Sequence, residues 1–129
     1  VWEAVGVLRF LRLGPPSIRV AEAAEKMGAT PAPLVLDVRT PSEFASGHIR
    51  GARSIPLPDL PATLSSLPED RELICVCASG NRSRRATKML TRQGLYALNL
   101  AGGMGAWTRA GLPIQRGGGT GPRKKPKKR

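Results

Sequence analysis

Leu73-Ile74-Cys75-Val76-Cys77-Ala78-Ser79-Gly80-Asn81-Arg82-Ser83 joins a four-residue apolar run to a polar, glycine-containing turn, with a helix-forming stretch behind it. Continuous apolarity over so short a run marks a strand covered on both faces, as in parallel sheets. Cys77 sits where that strand opens. Gly80 and Asn81 tolerate positive φ, so successive backbone N–H groups of the turn can point inward at the sulfur. Arg82 adds a fixed cation, and a helix starting near Ser83 adds the partial positive charge of its N-terminus. A free thiol titrates near about 8.5, and such surroundings lower that by roughly one to several units. The residues predict a thiolate at neutral pH and cysteine-based group transfer.

Downstream, Ser83 to Gln93 has helical spacing, with Ala86, Met89 and Leu90 inward, Arg84, Arg85, Lys88 and Arg92 outward, and Gly94 as its stop. Leu95 to Leu100 reads as a strand, Gly102-Gly103 as a turn, and Met104 to Ala110 as a last helix ended by Gly111 and Pro113. Upstream, Leu34-Val35-Leu36-Asp37-Val38 repeats the buried-strand pattern with one acid near its C-terminal end. Thr40-Pro41-Ser42-Glu43 combines a cap residue, a proline at the first helical position and an acid in the first turn, so a short helix should run to about Ser46. Ser54-Ile55-Pro56 reads as a short strand, and Asp59 to Leu67 as a helix with Leu60, Leu64 and Leu67 on one face. Near the start, a short β-like Ile18-Arg19-Val20 precedes an alanine-rich helix that ends at Gly28. Strands alternating with helices predict an α/β protein with a parallel sheet. Ligands of such sheets bind beyond the carboxyl ends of the strands, where Asp37 and Cys77 both fall.

With 129 residues, 40% of them hydrophobic, the chain can bury one modest core. The expected organisation is an N-terminal extension over residues 1–16, a folded domain over 17–115 and a flexible basic tail over 116–129. Cys75 and Cys77 are spaced C-x-C, too close along a strand to staple anything, so they read as thiols of a reducing, cytoplasmic compartment. Glu3, Arg9 and Arg12 interrupt the apolar start and no small-residue cleavage site follows, which argues against a secretory signal. No run approaches the roughly 18 to 20 apolar residues of a membrane span. The net charge of +12 is concentrated at one end: seven of the 21 basic residues lie between Arg116 and Arg129, after the linker-like Gly117-Gly118-Gly119-Thr120-Gly121-Pro122. Such a tail offers non-specific attraction to an acidic protein or nucleic acid, and it has no aromatic residue with which to stack bases.

Four separated phrases then agree in order and spacing: Leu36-Asp37-Val38-Arg39-Thr40-Pro41-Ser42-Glu43-Phe44; Gly47-His48-Ile49-Arg50-Gly51-Ala52; Cys77 to Ser83; and Asn99-Leu100-Ala101-Gly102-Gly103 with Trp107. In these the chain resembles the single-domain rhodanese (thiosulfate sulfurtransferase-like) family from Ser17 to Pro113. The resemblance implies a three-layer α/β domain with a central, mostly parallel sheet of about five strands flanked by helices. It makes Cys77 the sulfur acceptor and Arg82 its catalytic partner, with Ala78, Ser79, Gly80, Asn81 and Ser83 completing the substrate-binding loop. Members take sulfur from thiosulfate or a related small anionic donor, hold it as a persulfide and pass it to cyanide or a thiol. No metal or organic cofactor is implied, and no membrane partner. Related phosphatases have one more residue between Cys and Arg, so the C-x4-R spacing here favours sulfur over phosphate esters. Asp37, Arg39, Glu43 and His48 are expected to brace the strand and loop, Gly102 and Gly103 to let the chain turn close beside it, and Cys75 and Trp107 to pack the core. A competing reading is a sulfur-carrier or regulatory module that docks on an acidic partner through the basic tail.

Overall fold

The computed structural model describes residues 14–118; the expectations for most of the N-terminal extension (residues 1–13) and for the tail from residue 119 onward lie outside the described residues. The chain runs β1 (Ser17–Ile18), α1 (Val20–Met27), β2 (Leu34–Asp37), α2 (Pro41–Ser46), β3 (Arg53–Ser54), α3 (Leu60–Thr63) between single 3-10 turns Leu57–Asp59 and Leu64–Ser66, β4 (Leu73–Val76), α4 (Asn81–Arg92), β5 (Ala97–Leu100) and α5 (Gly103–Arg109). All five strands are parallel, in the order β1-β5-β4-β2-β3. From β2 the chain moves outward to β3 and then returns to the other side of β2 for β4. The strand order therefore reverses between β2 and β4, which leaves a crevice beyond their carboxyl ends. Asp37 ends β2 there and Cys77 follows β4.

Side-chain alternation sorts the core into two layers. Leu34, Leu36, Val38, Leu73 and Cys75 point to the side covered by α4 and the 57–67 segment, where Leu60, Leu67, Ala86 and Leu90 meet them. Val35, Ile74, Val76 and Leu100 point the other way, against Ala23 of α1, Phe44 of α2 and Met104 and Trp107 of α5. Every residue of β2 and of β4 is buried, the pattern expected when helices cover both faces of a parallel sheet.

Several boundaries differ from the sequence reading. In place of one Asp59–Leu67 helix the chain forms α3 between two 3-10 turns, with Pro58 and Pro61 in first turns where a missing N–H costs no bond; Leu60 and Leu67 are buried all the same and Leu64 packs on the core. β3 is Arg53–Ser54 rather than Ser54–Pro56, although the Ile55 and Leu57 N–H groups on either side of Pro56 carry on to the carbonyls of Asp37 and Val38. Leu95 closes the end of α4 by donating to the Leu90 carbonyl, so β5 starts only at Ala97. At the other boundary α2 follows the forecast, with a full capping box between Thr40 and Glu43 and Pro41 at its first turn. No helix of the described residues is long and apolar enough to cross a membrane.

Candidate active site

Parity along β4 decides where Cys77 points. One step past the strand, it continues the Leu73–Cys75 series and enters the α4-side cluster with 1% of its surface exposed. The turn then folds over the sulfur. Gly80 takes φ +107, a left-handed value suited to glycine, and its N–H lies 3.1 Å from Cys77 Sγ. Asn81 is already helical, and among the described residues no non-glycine has positive φ. One glycine thus makes the whole reversal, and the helix starts at Asn81, two residues before the expected Ser83.

The loop's N–H groups face the sulfur because its carbonyls are engaged elsewhere. The Cys77 carbonyl accepts from the Met104 N–H at 2.8 Å and the Ala78 carbonyl from the Gly105 N–H at 3.0 Å. A trans peptide sends its C=O and N–H to opposite sides, so anchoring the Ala78 carbonyl on α5 turns the Ser79 N–H toward Sγ. Gly102 and Gly103, at φ +78 and +58, permit this approach. A Cβ on Gly103 would overlap the Cys77 carbonyl oxygen and come within 2.8 Å of the Ala78 carbonyl.

Burial alone pushes the Cys77 thiol up. Hydrogen bonds to the sulfur from the Ser83 hydroxyl and from the N–H groups of Ser83, Gly80 and Ser79 outweigh burial and hold the thiol below its ordinary value. Two residues back, Cys75 has burial without such a cradle and is pushed up to about 12, with the Thr87 hydroxyl only partly offsetting it. One thiol is prepared to ionise; its neighbour is core.

Ser83 has a single hydroxyl hydrogen and two acceptors, Asn99 Oδ1 at 2.5 Å and Cys77 Sγ at 3.3 Å. The Asn99 amide is oriented by its own donation to the Gly80 carbonyl at 3.3 Å. The hydrogen cannot serve both acceptors, so Asn99 competes with the thiolate for it. Asn99→Ala is therefore expected to move the pH midpoint of Cys77 alkylation down, and Ser83→Ala to move it up, each by about one pH unit, the size of a hydrogen bond to a charged group. Rate-versus-pH curves with iodoacetamide read both; shifts of the same sign would contradict the competition. The sequence motifs alone do not mark Asn99 as a site residue. Its signal was a lone amide in the apolar run Leu98-Asn99-Leu100, analogous to Asp37 in β2.

Arg82, expected as the catalytic partner of Cys77, forks its two terminal nitrogens onto Glu43 of α2 at 2.7 and 2.8 Å, tying the loop's end to the neighbouring helix. The Arg82 guanidinium, reinforced by the Thr40 N–H and hydroxyl, outweighs the opposing effect of burial and lowers the Glu43 carboxyl to about 2. A carboxyl depressed in the folded state stabilises it above the unfolded value near 4.5, and that stabilisation is lost as pH falls toward 2. Glu43→Gln should accordingly destabilise the protein at pH 7, with the effect shrinking below pH 4.5 and lost only toward pH 2, measured as melting temperature against pH. Both side chains are about a third exposed, so the loss at pH 7 is about 1 kcal/mol or less.

Asp37 and Arg39 form a buried ion pair at 2.7 Å, and the same Arg39 nitrogen donates to the Gly47 carbonyl at 2.7 Å, so the pair locks the end of β2 to the end of α2. His48 stacks on Phe44 with centroids 3.7 Å apart and donates from Nδ1 to the Phe44 carbonyl at 2.7 Å. Its backbone pairs with Gln115, which brings the chain's return beside α2. The structure brings Ser79, Gly80 and Ser83 to the Cys77 sulfur, packs Gly102 and Gly103 against the loop backbone and sets Arg82 and Glu43 at the end of the loop; Ala78 and Asn81 are exposed. Asp37, Arg39 and His48 make contacts that brace this frame. Trp107 is buried in the α5 layer and donates to the Pro113 carbonyl. Among the described residues, no three His, Cys, Asp or Glu side chains are grouped to hold a metal ion.

A rhodanese-like domain model matches residues 20–110. A sulfurtransferase of Allochromatium vinosum is 41% identical over 92 residues, covering 70% of this chain and 86% of that protein. The thiosulfate sulfurtransferase GlpE of Stutzerimonas stutzeri is 33% identical over 99 residues, covering 76% of this chain and 84% of that protein. Among solved structures, a rhodanese-related protein from Thermoplasma volcanium superposes with a TM-score of 0.73 at 34% identity, covering 78% of this chain and 97% of that one. Fold, motif order and relatives agree, and the chain belongs to the rhodanese-like domain family.

Proposed function

We propose that this protein is a sulfurtransferase in which Cys77 carries sulfur as a persulfide, taken from thiosulfate or a related small anionic donor and passed to a thiol or to cyanide. The observation that carries the reading is the single buried sulfur on which the N–H groups of Ser79, Gly80 and Ser83 converge. The Cys77 thiolate attacks the outer sulfur of thiosulfate; a new S–S bond forms, the old one breaks, and its electron pair leaves on sulfite. The charge that begins on Sγ then sits on the outer sulfur of the persulfide. N–H donors placed before the reaction stabilise anionic sulfur in both states without reorganising. Cyanide or a thiolate attacks the outer sulfur next, and the electron pair of that bond returns to Sγ.

The acting unit on this reading is residues 17–115, with no resident cofactor, in a reducing cytoplasmic setting where the thiol persists. The five-residue step from Cys77 to Arg82, one residue shorter than in the related phosphatases, favours sulfur over phosphate esters on this reading. Ping-pong transfer has a direct test: thiosulfate alone, without acceptor, should release sulfite in a burst of about one equivalent per chain, because the persulfide forms before any acceptor arrives. Sulfite released only when acceptor is present would contradict it.

A further inference from the structure

The helix that follows the active-site loop carries an unusual charge. Acids normally occupy the first turn of a helix, where they meet the positive end of its dipole. In α4 that turn holds Arg82 and Arg84 and no acid, and Arg85, Lys88 and Arg92 follow. Glu43 offsets Arg82. No described carboxylate pairs with Arg85 or Lys88, and both are exposed.

These cations edge an open depression of about 660 Å³ between α4 and the 57–61 turn. Its apolar lining is Leu57, Pro58, Pro61 and Met89; Arg85, Lys88 and Arg92 form the basic side, and no acidic side chain lines it. Leu57 and Met89 pack on the same core cluster that contains Cys77, so groove and sulfur lie in one layer of the molecule. Arg85 is about one helical turn from Asn81, which follows the Gly80 N–H at the sulfur, and Arg92 is about 16 Å farther along α4 than Asn81 at roughly 1.5 Å per residue. The depression begins about one helical turn beyond the active-site loop and continues along α4 to Arg92.

We infer that this groove docks an acidic, amphipathic segment of a partner protein that exchanges sulfur with Cys77; the inference rests on the sulfurtransferase reading above. An apolar floor with one basic side fits a chain whose leucine-like side chains seat on Leu57 and Met89 and whose carboxylates meet Arg85 and Lys88. Nucleic acid fits less well, since the floor is proline and aliphatic and offers bases no aromatic surface.

The test uses the full chain and two fluorescein-labelled probes, a helical-spaced Glu/Leu peptide and its Glu/Ser counterpart of equal charge, read by anisotropy. Thiocyanate formation from thiosulfate and cyanide is followed in parallel. Arg85→Glu/Lys88→Glu should weaken Glu/Leu binding by about tenfold or more while kcat for cyanide stays within about twofold. Arg19→Glu/Arg50→Glu changes charge equally, next to elements of the opposite layer, and should weaken binding by about twofold at most. Equal loss in the two double variants, equal binding of the two peptides, or tighter Arg85-dependent binding of single-stranded DNA would overturn the groove while leaving sulfur transfer intact. Absence of thiocyanate formation by the unaltered protein would instead sink the transfer reading, and with it the partner's role, whatever the peptides do.

Discussion

Cys77→Ser is expected to reduce thiocyanate formation by about a thousandfold or more, to background, while leaving the melting temperature within about 4 °C. Serine is close to cysteine in shape, and the donors around Sγ would serve a hydroxyl oxygen as well. The alcohol, however, stays protonated at neutral pH where the cradle holds the thiol ready to ionise. Serine also cannot form the sulfur–sulfur bond on which carriage depends. Cys75 gives the contrast: its thiol is buried and pushed up to about 12, so Cys75→Ala should leave activity largely in place and cost only core packing. Steady-state assays of the two variants separate reactive from structural sulfur. Substantial turnover by Cys77→Ser, or its loss in a folded Cys75→Ala, would reverse the assignment.

Gly103→Ala is the second large effect. The residue combines φ +58 with a backbone neighbour on the very side a Cβ would occupy, the Cys77 carbonyl and the Ala78 peptide. A methyl group there must push α5 away from the loop, lengthening the bonds from the Met104 and Gly105 N–H groups that hold the loop carbonyls. The expected loss is about 3 kcal/mol, near the top of the single-substitution range, and the alkylation midpoint of Cys77 should rise as its N–H donors turn away. Gly28→Ala is the comparison, since that glycine has negative φ and its nearest contact would be an ordinary 3.6 Å. Denaturant melts alongside alkylation curves distinguish a loosened loop from a merely destabilised domain. An unchanged midpoint in folded Gly103→Ala would mean that α5 does not orient the loop.

Much of this arrangement is legible in the residues. The two buried strands Leu34–Asp37 and Leu73–Val76 announce themselves as unbroken apolar runs, and their pairing side by side places Asp37 and Cys77 at one end of the sheet. Thr40-Pro41-Ser42-Glu43 declares its helix through local capping chemistry, which needs no tertiary partner. The 57–67 segment defeats periodicity because Leu60, Leu64 and Leu67 keep helical spacing whether the backbone runs as one α-helix or as short α and 3-10 turns. Long-range polar choices are also hidden. That Arg82 pairs with Glu43, thirty-nine residues away, depends on how α2 and the loop meet, and the same spacing would fit an arginine facing substrate. Likewise the donation of Ser83 to Asn99 joins α4 to β5, a meeting only the folded sheet defines. The glycine pair at 102–103 is visible as a turn, but the carbonyls it approaches are not.

Intact-protein mass spectrometry after incubation with thiosulfate, on the unaltered chain and on Cys77→Ser, tests the central claim most directly. Persulfide carriage predicts one added sulfur atom on the unaltered protein, removed by dithiothreitol or cyanide and absent from the serine variant. An unmodified mass for the folded, unaltered protein, or the same adduct on Cys77→Ser, would contradict it.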